Sequence, residues 1–360
     1  MPHPEDNRRI TIGVDTHADT HVAVALSQLG ARLDELHIPT TQTGYDQLER
    51  WAVALGQVDA FGLEGTGSYG AELARVLRRR GHRVIEVNRP DRATRHRRGK
   101  SDPIDAEMAA RAVLSGVAAS TPKHADGDAE MLRMLKMAKD SAVKTRTQAI
   151  NQIKAILVTA PAQLREQLAD LAVGKLLERC AAFEPGELTT PTAVAHHTLR
   201  LLAQRNLALR AEIKALQADI ARLAGRAAPR LLDVFGIGPD GAAQILLTAG
   251  DNPRRLRSEA AFAALCGSNP IPASSGKTNR HRLNRGGDRQ ANATLHRVAV
   301  VRLRWHDPSQ KYMARRLAEG KSKAEIMRCL KRYIAREIYH ILCPTPRRAA
   351  ATGTDLPQAA

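Results

Sequence analysis

Four carboxylates stand where phosphate chemistry would want them. Asp15 ends the β-rich run Ile10-Thr-Ile-Gly-Val-Asp15, Glu64 ends a second strand-like run from Val58, and Asp102 and Asp105 open a helix directly after a basic loop. Hard divalent cations prefer carboxylate oxygens, and two such ions about 3.5–4 Å apart stabilise both the attacking and the leaving oxygen of a phosphoryl transfer. Without a cation, four gathered anions would repel one another. Each residue taken singly has a plainer reading: Asp15 and Glu64 as polar strand ends, Asp102-x-x-Asp105 as the spacing of a helix capping box.

Two glycine-rich segments add further chemistry. Gly236-Ile-Gly238-Pro-Asp-Gly-Ala-Ala243 has the look of a helix-hairpin-helix turn, whose glycines let backbone N–H groups approach a DNA phosphate without reading sequence; an ordinary Gly-rich helix start is the alternative. Cys266-Gly-Ser-Asn-Pro-Ile-Pro-Ala-Ser-Ser-Gly-Lys277 is a small-residue loop entering the most basic part of the chain. A serine there becomes a nucleophile only if its proton is removed and the charge on phosphorus is steadied, which metal ions and Arg280, Arg282, Arg285 or Arg289 could do. A lone serine in a Gly/Pro loop is ordinarily a turn residue, no Ser-His-Asp order is evident, and His281 and His296 suit phosphate or structural contacts better than base chemistry.

These residues need a frame. Residues 10–15, 21–26 and 36–39 read as a three-strand meander, 43–55 as an amphipathic helix, 58–64 as a fourth strand stopping at Gly65-Thr66-Gly67, 68–80 as a second helix, and 83–87 as a fifth strand. The first module is therefore mixed α/β. A loop with six cations and one anion between Arg89 and Lys100, among them Arg95, Arg97, Arg98 and Lys100, feeds the helix that Pro103 begins, with Asp102 as its expected cap. From about 126 to 225 the chain turns helical. Leu199, Leu202, Asn206, Leu209, Ile213, Leu216, Ile220 and Leu223 step by three and four, the repeat of a coiled-coil seam with one polar entry. Such a seam pairs protomers or closes a hairpin within one chain; the repeat does not distinguish them. The expected division is a short flexible N-terminus over 1–9, an α/β domain over 10–125, a helical coiled-coil region over 126–228, a mostly helical C-terminal domain over 229–343 and a Pro/Ala/Thr-rich disordered tail over 344–360.

Charge narrows the partners. With 55 Lys and Arg against 37 Asp and Glu, the net charge of +18 points to a polyanion, nucleic acid before an acidic membrane surface. Residues 277–348 carry 19 Lys and Arg against five Asp and Glu, so most of the excess is concentrated there. Only 3% of residues are aromatic, which favours backbone phosphate contacts over stacking platforms. No apolar run approaches the roughly 20 residues of a membrane helix, the start has acid and proline where a signal peptide would be basic then apolar, and the four cysteines form no C-x-x-C pair. A cytoplasmic protein with reduced cysteines and no zinc knuckle is expected.

Taken in order, Gly-Val-Asp15-Thr-His, Leu-Glu64-Gly-Thr-Gly-Ser-Tyr, Lys-Ser-Asp102-Pro-Ile-Asp105-Ala, the Cys266–Lys277 loop with Asn284-Arg-Gly-Gly-Asp-Arg-Gln-Ala-Asn, and Arg328-Cys-Leu-Lys-Arg-Tyr-Ile-Ala-Arg-Glu337 resemble the DEDD transposases of the insertion-sequence family numbered one hundred and ten. The resemblance spans nearly all of residues 10–343. It implies an RNase H-like N-terminal domain of the RuvC type in which Asp15, Glu64, Asp102 and Asp105 hold Mg²⁺, joined by a long helical segment to a C-terminal domain with a catalytic serine. The family's proline, four residues, then Ser-Gly falls on Pro270 and Ser275-Gly276, with Ser274 as neighbour. It further implies recombination through a covalent phosphoserine, a homo-oligomer (dimer or tetramer), and a bridge RNA that pairs with double-stranded target and donor DNA. Arg95, Arg97, Arg98, Lys100, Gly236, Gly238, Lys277, Arg280, Arg282, Arg285 and Arg289 are the expected nucleic-acid contacts. Two other readings stay open: a hydrolytic junction resolvase or nuclease using the same carboxylates with water, and a non-enzymatic coiled-coil scaffold for nucleic acid.

Overall fold

The computed structural model describes residues 8–88, 101–184, 186–277 and 281–344. They divide into two compact units, one of residues up to 126 with 248–299 and those from 311 on, the other of 127–247 with 300–310.

The first unit is built on β1 (Arg9–Thr16), β2 (Thr20–Ser27), β3 (Arg32–Pro39), β4 (Gln57–Glu64) and β5 (Val84–Val87). Their order is β3-β2-β1-β4-β5: the first three form an antiparallel meander, and β4 and β5 run parallel to β1. Three helices flank the sheet: α1 (Gln42–Leu55), α2 (Ala71–Arg79) and α3 (Asp102–Leu114). This is the expected mixed α/β order, consistent with an RNase H-like arrangement. Ile10, Ile12, Val14, Phe61 and Leu63 face one way, into a core with Leu48 of α1 and Leu73 and Leu77 of α2. Val22, Val24 and Leu26 face the other way, onto Ala106 and Ala110 of α3. With both faces covered, the central strands read as near-continuous apolar runs. β3 begins at Arg32, earlier than expected: as an edge strand it carries Arg32, Asp34 and Glu35, charges that discourage pairing with another chain and hide its strand character. The second helix begins three residues later than expected, because Gly65 to Gly70 form a hydrogen-bonded turn.

The C-terminal part of this unit contains α10 (Glu259–Leu265), a small hairpin of β6 (Ile271–Pro272) and β7 (His281–Arg282), α11 (Arg289–Trp305, its last residues in the second unit), α12 (Asp307–Ala318, its first residues in the second unit) and α13 (Lys323–Leu342). Residues 119–124 tie it to the sheet: Glu86 N donates to the Ser120 carbonyl (2.8 Å), and Asn252 Nδ2 to the Pro122 carbonyl (3.0 Å).

The second unit is helical. Its long helices α4 (Asp128–Thr159) and α7 (Pro191–Ala227) pack side by side, with α5 (Ala162–Leu168) and α6 (Val173–Ala181) closing a core of Ile153, Leu164, Leu177 and Leu199. Thr190 caps α7 through its hydroxyl, with Pro191 at the first helical position. The heptad seam lies against α4: Leu199, Leu202, Ile213, Ile220 and Leu223 are buried, and Asn206 Nδ2 donates to the Arg146 carbonyl (2.9 Å). Of the two pairings the repeat allows, these residues make the one within the chain, while Leu209 and Leu216 of the same seam are only half-buried. Among the described residues no helix is long and apolar enough to cross a membrane.

Candidate active site

The site begins with two glycines. Gly13 of β1 and Gly62 of β4 lie opposite each other in the parallel register. A Cβ on Gly13 would come within 2.0 Å of the Ala106 carbonyl and 2.3 Å of the Ala110 nitrogen; one on Gly62 would meet Val113 at 2.6 Å and the Ala109 carbonyl at 3.0 Å. The pair thus opens a trough into which the alanine face of α3 settles. Side chains alternate along a strand, so Asp15 and Glu64, each two residues on, belong to the same α3-covered face, at the C-terminal ends of adjacent strands. The Thr16 hydroxyl donates to the Glu64 carbonyl at 2.9 Å, fastening the two ends together.

Helix α3 brings the other two carboxylates. Ser101, not Asp102, occupies the cap position, and it makes no side-chain cap hydrogen bond. Asp102 and Asp105 both stand in the first turn, where the positive end of the helix dipole favours anions. Asp15, Glu64 and Asp105 are buried while Asp102 is half exposed. His17 joins them: its Nε2 lies 3.1 Å from Asp15 Oδ2 and 3.4 Å from Asp102 Oδ1. Burial pushes the Asp15 carboxyl above its ordinary range; His17 opposes that push, and the charges of Asp105 and Asp102 reinforce it. One ligand atom each from Asp15, His17 and Asp102 lies within 4.8 Å of the others. An oxygen-rich, mutually repelling set of this kind fits a divalent cation, which would relieve the repulsion that raises Asp15. His17 was not singled out from sequence; the available signal was its position two residues beyond Asp15.

Ser275 sits on the exposed loop of the β6–β7 hairpin, followed by Gly276 in the left-handed region (φ 54°). The two motif segments flanking that loop are knitted together below it. Asn292 Nδ2 donates to the carbonyls of Cys266 and Gly267 (2.9 and 2.8 Å), and Asn284 Nδ2 to Asn269 Oδ1 (2.5 Å). Asp288 accepts from Gln290 N and Ala291 N at the start of α11, and from the Thr248 hydroxyl at 2.7 Å. A Cβ on Gly287 would lie 2.6 Å from Gly267 N, so this crossing needs glycine. Lys277, Arg282, Arg285 and Arg289 are exposed around the hairpin. Arg95, Arg97, Arg98, Lys100 and Arg280 lie outside the described residues.

The Gly236–Gly238 turn joins the short helix α8 (Pro229–Leu232) to α9 (Pro239–Ala249), with Gly236 at φ 89° and both glycines exposed. Beneath it Asp240, in the first turn of α9, accepts from the buried Lys136 (3.1 Å) and Lys139 of α4. Burial of Asp240 works to raise its pKa, but the two lysines prevail and hold it below the ordinary carboxylate range.

Comparison with known proteins bears on both halves of the chain. A family model for IS110 DEDD transposases matches residues 12–160, covering the sheet and all four carboxylates. A second, described as transposase of the IS116/IS110/IS902 family, matches residues 228–314, covering the glycine turn and the serine hairpin. No curated protein matches the chain. With both models matched in order over most of its length, the chain belongs to the IS110 family of transposases.

Proposed function

We propose that the protein cleaves and exchanges DNA strands in Mg²⁺-dependent recombination, through a covalent phosphoserine and under the guidance of a bridge RNA. The observation that carries this reading is the gathering of Asp15, Asp102, Asp105 and Glu64 around the ends of β1 and β4, with family matches on both sides of the helical segment. Asp15, Glu64, Asp102 and Asp105 would hold the cation, which supplies charge neutralisation at the scissile phosphate. His17 steadies Asp15 and Asp102 in the orientation that receives it.

Ser275 acts as the nucleophile. Its Oγ forms a bond to phosphorus and gives up its proton to solvent, while the bond from phosphorus to the leaving strand's oxygen breaks and that oxygen takes up a proton. A hydroxyl of the new strand then forms a bond to phosphorus and gives up its proton to solvent, while the bond from phosphorus to Ser275 Oγ breaks and Oγ takes a proton back. The phosphodiester is conserved, so rejoining needs no ATP. The exposed cations of the serine hairpin and the Gly236–Gly238 turn bind backbone phosphates, which leaves sequence recognition to the RNA. The functional segments are the α/β domain over 10–125, the helical region over 126–228 and the C-terminal domain over 229–343, working as a homo-oligomer on double-stranded donor and target DNA in the cytoplasm.

The test is strand exchange between donor and target duplexes by the full-length protein with its copurified RNA and Mg²⁺. Exchange should disappear in Asp15→Asn, in EDTA and after ribonuclease treatment. Exchange that survives ribonuclease overturns the guided part; exchange indifferent to Asp15→Asn overturns the carboxylate site.

A further inference from the structure

The hairpin that carries Ser275 forms one wall of a cavity of about 630 Å³; the facing wall comes from Arg316, Lys321 and the first half of α13. That volume suits one nucleotide rather than a duplex. Six cations line it, namely Arg282, Arg316, Lys321, Arg328, Lys331 and Arg332, against the single carboxylate of Glu325. Glu325 is committed to capping α13, accepting from Ser322 N at 2.9 Å and Ser322 Oγ at 2.8 Å.

The cations are poorly neutralised. Among the described residues Arg282, Lys321 and Arg328 make no close ion pair, Lys321 and Arg328 feeling Glu325 only from a distance, and buried Lys331 donates to the neutral Asn292 amide at 2.7 Å. Arg316 and Arg332 each have a carboxylate partner outside the lining, yet Arg316 Nε and Arg332 Nη1 are buried without an acceptor among the described residues. A covered donor left unsatisfied is destabilising. The wall also holds Tyr333, half exposed and in T-shaped contact with Tyr312 (5.7 Å between centroids), in a chain otherwise poor in aromatics.

We infer that this cavity seats one unpaired nucleotide of the nucleic-acid strand beside the serine hairpin, its phosphate on Arg282, Lys321 and Arg328 and its base against Tyr333. The inference rests on the transposase reading for the role of the hairpin, but it is a binding claim that needs no chemistry.

The test is fluorescence anisotropy with full-length protein in EDTA, using a fully paired duplex, the same duplex with one bulged thymidine, and the same with an abasic bulge, each as DNA and as RNA (bulged uridine in the RNA set). Wild type should prefer the base-bearing bulge in at least one of the two nucleic acids, and that arm identifies the source. Arg328→Ala should weaken this probe about tenfold and lower the salt slope by about one. Tyr333→Ala should erase the preference for a base over an abasic bulge, and Tyr333→Phe should keep it. Both residues are exposed, so the fold should survive their replacement. Equal binding of paired and bulged probes in both nucleic acids, an unaltered Arg328→Ala, or a base preference that persists in Tyr333→Ala would overturn the inference. Loss of the carboxylate mechanism in the exchange assay would leave these binding results standing, so the two failures are distinguishable.

Discussion

Replacing Gly13 by alanine puts a methyl group where α3 already stands. The new Cβ would lie 2.0 Å from the Ala106 carbonyl oxygen, 2.3 Å from the Ala110 nitrogen and 2.9 Å from the Ala110 methyl. Two of those contacts are helix backbone, which cannot swing aside as a side-chain end can, so α3 must retreat from β1 by more than an ångström. Overpacking of this kind costs about 1–3 kcal/mol, a fall in Tm of roughly 3–10 °C for a unit of this size. The retreat also carries Asp102 and Asp105 away from Asp15, and misplacing reacting groups by about 1 Å costs on the order of 100-fold in rate. Gly62→Ala meets the Val113 methyl first and the Ala109 carbonyl only at 3.0 Å, so it should do less on both counts. Calorimetry for Tm, titration calorimetry for Mg²⁺ or Mn²⁺, and strand cleavage would be measured on both variants. A Gly13→Ala protein with wild-type Tm and cation affinity, or one less affected than Gly62→Ala, would refute the trough as the device that positions the carboxylates.

Four other outcomes follow from the geometry. Because the folded pKa of Asp15 is raised, its charged form opposes folding: stability without cation should fall as pH rises from its ordinary value through its raised one, and Asp15→Asn should be at least as stable as wild type near pH 7 by thermal melts in EDTA. Cation affinity should fall as pH is lowered through the same window, read by titration calorimetry, and a flat profile would contradict it. Asp240→Asn strands two buried lysines and should cost about 1–3 kcal/mol at neutral pH, discounted for the half-exposed carboxylate; since that pKa is depressed, the difference should vanish as pH falls through and below the carboxylate range. Asn206→Ala should destabilise the α4–α7 pair by about 1 kcal/mol in denaturant melts, with no dependence on protein concentration, because its partner is the Arg146 carbonyl of the same chain.

Much of this was legible because local rules and global fold agree. The run Ile10 to Asp15 and the run into Glu64 announce strands by β-branched and apolar content, and their terminal carboxylates stand out against apolar neighbours. The charges of Arg32, Asp34 and Glu35 belong to edge-strand logic rather than to pattern, so the start of β3 was hidden. The partnership of Gly13 with Gly62 joins residues far apart in sequence, and nothing local says that a helix from residue 102 lands on both. His17 acquires meaning only when Asp102 arrives beside it. The heptad seam was visible, but its partner was not: periodicity records that a face is buried, not which helix buries it. The β6–β7 hairpin, two residues to a strand, leaves no periodic trace at all.

The most direct measurement is to react full-length protein, together with any RNA that copurifies with it, with cleavable donor DNA and Mg²⁺, quench under denaturing conditions, and map the adduct by peptide mass spectrometry. A nucleotide phosphodiester on Ser275 is the predicted result, retained in Ser274→Ala and lost in both Ser275→Ala and Asp15→Asn. Cleavage without any protein–DNA adduct, or an adduct that persists in Ser275→Ala, would contradict the account.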